Sequence, residues 1–125
     1  MKKITQTENA PKPAGPYSQA IIAEKFLFIS GQLAIDPKEG KILANDIKGQ
    51  TVQVMENIKA ILQGAGYNLR HIIQTTVYLT SMEHFSEFNT EYAKYFDKEF
   101  PTRATVAAKL VPNALVEISA IAYKE

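Results

Sequence analysis

Leu115-Val116-Glu117-Ile118-Ser119-Ala120-Ile121-Ala122-Tyr123 alternates with a period of two, the signature of a β-strand whose side chains point by turns to opposite faces. Val116, Ile118, Ala120 and Ala122 form an apolar side; Leu115, Glu117, Ser119, Ile121 and Tyr123 form a mixed one. Arg103 to Leu110 divides in the same way, with Ala104, Val106, Ala108 and Leu110 opposing Arg103, Thr105, Ala107 and Lys109. The two segments read as consecutive strands joined by a turn at Pro112-Asn113, their apolar sides forming a bed for helices. On that reading Arg103 and Glu117 share the mixed face.

Further out, Phe26 to Leu33 and His71 to Leu79 are rich in β-formers and predict two more strands. Asp36-Pro37-Lys38-Glu39-Gly40 predicts a turn. Val52, Met55, Ile58, Ile61, Leu62 and Ala65 recur at helical spacing and predict a helix from about Ile47 to Gln63, stopped by Gly64 and Gly66. Thr80 with Glu83 has the form of a capping box, opening a second helix with Phe85, Phe88, Tyr92, Tyr95 and Phe96 on one side and Pro101 at its end. Asn9 to Tyr17, with Pro11, Pro13 and Pro16, reads as a rigid loop. The class is α+β, both helices on one face of the sheet. Two helices cannot cover both faces, and the mixed face carries Phe26, Phe28, Tyr78, Leu115 and Ile121 beside Ser30. A half-apolar bare face marks an association surface, so an oligomer is expected.

Composition narrows the function. The 125 residues suit one domain, 1–125, able to bury about two-thirds of its unfolded surface. With 14 Lys+Arg against 13 Asp+Glu, the net charge of +1 provides no field for a polyanion, which argues against nucleic acid as the main partner. The absence of Cys removes thiolate chemistry and Cys-based metal sites, and His71 and His84 have no partner at ligand spacing, so no metal is expected. The start, Met1-Lys2-Lys3-Ile4-Thr5-Gln6, is basic but lacks a following apolar run, and no stretch approaches the ~18 residues of a membrane span; a cytoplasmic location without membrane contact is expected.

The chemistry-bearing candidates are few. Arg103 stands at a strand entrance among small side chains, where its planar fork has room for a carboxylate or phosphate; a surface ion pair is the plainer alternative. Glu117, between Val116 and Ile118, is placed to be partly desolvated, which suits proton transfer; an ion pair with Arg103 is the alternative, and a substrate inserted between the two reconciles both. Ser30-Gly31 within a strand marks a close approach by a ligand or by another backbone, or else a bulge. Tyr17 either closes over a pocket or packs at an interface. Asn89 sits in the aromatic helix.

Gly15-Pro16-Tyr17-Ser18-Gln19, Ile29-Ser30-Gly31-Gln32, Thr75-Thr76-Val77-Tyr78-Leu79, Phe88-Asn89-x-x-Tyr92, Pro101-Thr102-Arg103-Ala104 and Val116-Glu117-Ile118 closely resemble the Rid (reactive intermediate deaminase), or YjgF, family along nearly the whole chain. The resemblance, closest to the RidA-type deaminases, implies a mixed sheet of about six strands with two helices on one side, a chorismate-mutase-like subunit and a homotrimer with ligand clefts between neighbours. It further implies cofactor-free hydrolysis of enamines and imines such as 2-aminoacrylate to 2-keto acids and ammonia. Carried over by motif, Arg103 grips the substrate carboxylate and Glu117 handles water and proton. Ser30 and Gly31 line the cleft, Tyr17 covers it and Asn89 positions the ligand.

Three departures stand out. Thr105 occupies a position that is often Cys in the family, and its hydroxyl still offers a contact to a ligand carboxylate. The turn Val111-Pro112-Asn113-Ala114-Leu115 is one residue shorter than the usual form; a tighter turn that keeps Glu117 facing Arg103 is expected. Ser119 stands where another Glu is common. The competing reading is a trimer that binds or senses 2-keto acids without turnover. An RNA-directed activity, a third class, has no basic patch behind it.

Overall fold

A computed structural model describes residues 1–125. In chain order its elements are β1 (Lys2–Thr5), β2 (Ala20–Ala23), β3 (Phe26–Gln32), a small hairpin of β4 (Ile35–Asp36) and β5 (Lys41–Ile42), α1 (Ile47–Gly64), β6 (Ile72–Leu79), α2 (Phe85–Ala93), β7 (Thr102–Ala107) and β8 (Val116–Tyr123).

The predicted first helix is present with nearly the predicted ends. The Asp46 side chain accepts from the Gly49 amide at 3.0 Å and so caps α1. Past its end Gly66 adopts φ +85°, the left-handed turn that terminates helices. The second helix differs from its prediction at both ends. Ser81, not Thr80, supplies the cap: its Oγ accepts from the Glu83 amide at 3.1 Å, and a turn of 3₁₀-helix at Met82–His84 leads into α2. At the other end the amides of Lys94, Tyr95 and Phe96 bond to carbonyls three residues back, which unwinds the helix after Ala93, well before Pro101. The aromatic row nevertheless continues, Phe88, Tyr92, Phe96 and Phe100 stacking in sequence with centroids 5.2, 5.0 and 6.0 Å apart.

The main sheet has six strands in the order β1-β2-β3-β8-β6-β7, mixed in sense because β6 and β7 run parallel. The chain moves from β3 through α1 to β6, and from β6 through α2 to β7, stepping the same way across the sheet each time. Crossovers of one hand stepping in one direction place both helices on the same face. Between that face and the helices lie Leu27, Ile29, Val77, Leu79, Val116, Ile118, Val54, Met55, Ile58, Leu62 and Phe88, all buried. Buried amides tie the layers together: Gln50 of α1 donates to the carbonyls of Ala44 and Asn113 and accepts from the Leu115 amide at 2.8 Å, fixing the start of β8.

Two strand-level expectations are corrected. The last two strands are not neighbours, because β6 lies between them. Their connection is stitched across the end of β6: the Ala108 amide donates to the Leu79 carbonyl at 2.8 Å and the Thr80 amide to that of Leu115 at 3.1 Å. The facing of β7 is also the reverse of that predicted. Parallel register sets Arg103 beside Thr75, Thr105 beside Val77 and Ala107 beside Leu79, whose side chains are buried on the helix side. Ala104 and Val106 therefore turn to the open face. Glu117 pairs with Tyr78 on that open face, between the inward Val116 and Ile118. Arg103 and Glu117 of one chain lie on opposite faces of the sheet.

The open face is apolar over much of its width. Ile4, Ile21, Phe28 and Ile121 are register partners across four adjacent strands. Next to them Phe26 packs against Phe28 and Tyr123, with centroids 6.2 and 5.0 Å away. Ile4, Phe26, Phe28 and Val106 remain 59, 37, 43 and 43 % exposed. No helix is long and apolar enough to cross a membrane.

Candidate active site in two halves

Arg103 enters β7, the edge strand, with its side chain against the helix α2. Its guanidinium carbon lies 5.7 Å from the ring centroid of Phe85, 5.6 Å from Phe88 and 5.1 Å from Tyr92. The one side-chain ion pair of the chain joins Lys94 to Glu91 at 3.0 Å, so no carboxylate neutralises Arg103. Ring faces attract the cation without using its N–H donors, which stay available for a planar anion. Thr105 follows on the same side of β7, and Asn89 shares a helix face with Phe85 and Tyr92 at i+4 and i−3. The Asn89 Oδ1 and Thr105 Oγ1 atoms are buried and have no hydrogen-bond partner. A buried polar atom left unpaired costs about 1–3 kcal/mol, so both atoms call for a partner that this chain alone does not supply.

Glu117 anchors the second half. Burial alone pushes its carboxyl above the usual carboxylate range, and no hydrogen bond or ion pair opposes that. Gly31 lies directly against it. Ser30 and Gly31 form a bulge opposite Ser119, since Ile29 pairs with Ala120 and Gln32 with Ile118. A Cβ on Gly31 would overlap the Glu117 carboxylate and come within 2.9 Å of its Cδ. The Ser30 hydroxyl donates to the Ser18 carbonyl at 2.6 Å, and its amide donates to that of Gln19 at 3.1 Å, tying the proline loop to the bulge. Its hydroxyl proton is thus committed to the loop, although its oxygen can still accept. Tyr17, half exposed, has its Oη accepting from the Ala14 amide at 3.2 Å, which holds the loop closed on itself. Tyr17 and Gly31 share the wall of a small cavity of about 70 Å³ with Pro11, Pro13 and Leu33. That volume is well below the roughly 300 Å³ at which ligand pockets begin.

The seven predicted site residues thus fall into two groups: Arg103, Thr105 and Asn89 on one face, and Glu117, Gly31, Ser30 and Tyr17 at the other. A cavity of about 840 Å³, lined by Lys59, Arg70 and Phe96 among others, contains none of them. No three His, Cys, Asp or Glu side chains converge as a metal-ligand set. The sequence reading misses that Phe85, Phe88 and Tyr92 back Arg103; their helical spacing is visible, but it looks like any core stripe.

The Gly31–Glu117 contact makes a prediction. Gly31→Ala is expected to leave the fold intact, because the side chain it displaces is flexible and the backbone at Gly31 is not left-handed. The carboxyl must swing aside, so any activity that depends on Glu117 is expected to fall about 10–100-fold with Tm nearly unchanged. A fully active Gly31→Ala variant would show that the position of the carboxyl is unimportant.

Fold and site together define a small α+β protein with an unneutralised, aromatic-backed cation on one face of its sheet and a desolvated carboxyl on the other. Residues 7–124 match the family model described as Endoribonuclease L-PSP. The chain is 57 % identical over 126 residues to a RutC family protein of Pyrococcus horikoshii, covering all of both. Among solved structures it is similar to a Rid family protein of Yersinia pestis (44 % identity, TM-score 0.95, 99 and 100 % of the two chains covered). It is similar too to E. coli TdcF, solved with bound serine (36 % identity, TM-score 0.93, 98 and 99 % covered). The chain belongs to the YjgF/Rid family.

Proposed function

We propose that this protein is a hydrolytic deaminase of enamine and imine intermediates such as 2-aminoacrylate, releasing a 2-keto acid and ammonia at clefts between the copies of a homotrimer. The observation that carries the assembly is the placement of Arg103 and Glu117 on opposite faces of one chain. A site using both needs two copies, the edge strand of one meeting the open face of the next. The Ile4-Ile21-Phe28-Ile121 row, with Ile4 and Phe28 exposed, offers the apolar surface for that contact, and a head-to-tail contact that closes makes a ring.

In this reading Arg103 holds the substrate carboxylate bidentately and so fixes the imine carbon relative to a water beside Glu117. An enamine first takes a proton on its terminal carbon, for which the raised pKa of Glu117 keeps an acid form available. Water then adds: Glu117 takes its proton, the C–O bond forms and the C=N π pair moves to nitrogen. Glu117 returns the proton to nitrogen, the C–N bond breaks with its electron pair leaving on ammonia, and the carbonyl forms as the hydroxyl proton passes to Glu117, restoring its acid form. Thr105 and Asn89 offer the hydroxyl and the acceptor that the ligand would satisfy. The residues call for no metal or organic cofactor. The bound serine of TdcF, a small amino acid, is consistent with a carboxylate ligand. A formal charge of +1 favours such a ligand over an RNA strand.

The test is ammonia release from enzymatically generated 2-aminoacrylate. Acceleration over buffer is expected; keto-acid binding without acceleration would leave a sensor in place of an enzyme. For the assembly, native mass spectrometry is expected to find trimers, and Phe28→Arg to yield monomers without activity. Mixing subunits of the Arg103→Ala and Glu117→Gln variants by refolding should recover activity that neither has alone. No recovery in mixed trimers would rule out a site shared between copies.

A further inference from the structure

Arginines that await a ligand are usually either mobile in solvent or parked on an acid that the ligand must displace. Arg103 is neither. We infer that Phe85, Phe88 and Tyr92 are positioning residues, an aromatic box that holds the Arg103 guanidinium in place before any ligand arrives and without neutralising it.

Two of the three walls are themselves fixed. Phe88 is fully buried and stacks on Tyr92 with centroids 5.2 Å apart. The Tyr92 hydroxyl shares a 2.7 Å hydrogen bond with Thr75 Oγ1, and both residues are buried. Thr75 is the register partner of Arg103 on the adjoining strand, on the same face. The ring nearest the guanidinium is therefore tied to the strand that flanks the arginine's own backbone. Burial pushes the Tyr92 hydroxyl up, so the ring stays neutral and never acts as a counter-anion.

Lysine in the same box would keep the attraction to the rings but lose the planar fork, whereas a carboxylate in place of the box would compete with the ligand for that fork. The box gives a held cation whose in-plane donors are all free. A preorganised receptor loses less side-chain freedom on binding and so binds more tightly than a mobile one.

The carboxylate ligand rests on the deaminase reading; the held arginine does not. The experiment has two arms for that reason. In the ligand-free protein, NMR of the Arg103 Nε–Hε group is expected to show upfield ring-current shifts and a heteronuclear NOE close to that of the backbone. Phe85→Leu, at the half-buried wall of the box, is expected to move the signal toward that of a solvated arginine. The same variant should weaken pyruvate binding about tenfold by calorimetry, with KM raised similarly and kcat little changed. Tyr92→Phe, which keeps the ring but cuts its tether to Thr75, should lower the Arg103 NOE while pyruvate affinity stays within about threefold of the parent. If Phe85→Leu does not fold, Thr75→Val carries the test, because loss of its hydroxyl frees Tyr92 and is expected to lower the Arg103 NOE. A mobile, solvent-like Arg103 in the parent, or signals and affinity unmoved by the wall variants, would overturn the inference. A parent that never releases ammonia would sink the deaminase reading and leave the NMR result standing.

Discussion

Arg103→Lys is expected to fail nearly as badly as Arg103→Ala, each lowering 2-keto-acid affinity and ammonia release by about 100-fold or more. The reason is geometric. A guanidinium presents two parallel N–H donors to a carboxylate while its carbon stays near the rings of Phe85, Phe88 and Tyr92, whereas an ammonium is a compact, strongly hydrated charge without that planar fork. Because Arg103 is on an edge strand with no ion pair to lose, both variants should fold, with Tm within a few degrees of the parent. Calorimetry with pyruvate beside the ammonia assay measures both effects. A lysine variant that binds and turns over like the parent would mean that charge alone suffices and that the fork has no role.

Glu117→Gln separates binding from chemistry. The amide nearly preserves the shape of the pocket against Gly31 but exchanges no proton, so keto-acid affinity should stay within a few-fold while ammonia release falls by about 10²–10⁴. The pH profile adds a second readout. Burial raises the Glu117 pKa, so the acid limb of the parent's profile should lie above the ordinary carboxylate range, and the Gln variant should lack it. Stability carries the same sign. The folded chain holds this proton to higher pH than the unfolded chain does, so stability contributed by the acid form is lost as pH rises through the raised pKa. The Gln variant escapes that loss: its Tm should exceed the parent's at neutral pH, the gap closing at pH values below the ordinary carboxylate pKa. A Glu117→Gln variant with parental turnover would remove Glu117 from the proton relay.

Much of this molecule is legible in its residues. The 3.6-residue recurrence of Met55, Ile58, Ile61 and Leu62 forces a buried stripe and hence α1, with Gly66 marking its end, although Val52, read into the same stripe, is exposed. The alternation of β8 is equally plain, because Val116, Ile118, Ala120 and Ala122 contrast with Glu117 and Ser119. The Rid family motifs carry the candidate residues with them. β1 and β2 are less visible, being four-residue strands on either side of a proline loop, too short for periodicity to declare itself.

The facing of β7 could not be read in the same way. Thr102 to Ala107 holds small side chains on both sides and no residue that burial would clearly prefer, so alternation says which residues share a face but not which face meets the helices. That choice is made by register against β6, a parallel neighbour 23 residues or more away in sequence, set by Thr75 lying beside Arg103. The sequence by itself determined both helices, four of the strands, the apolar second face and the residues able to do chemistry. Only the tertiary structure decided that Arg103 and Glu117 stand back to back across one sheet, because the side a strand presents depends on its partner and not on its own residues.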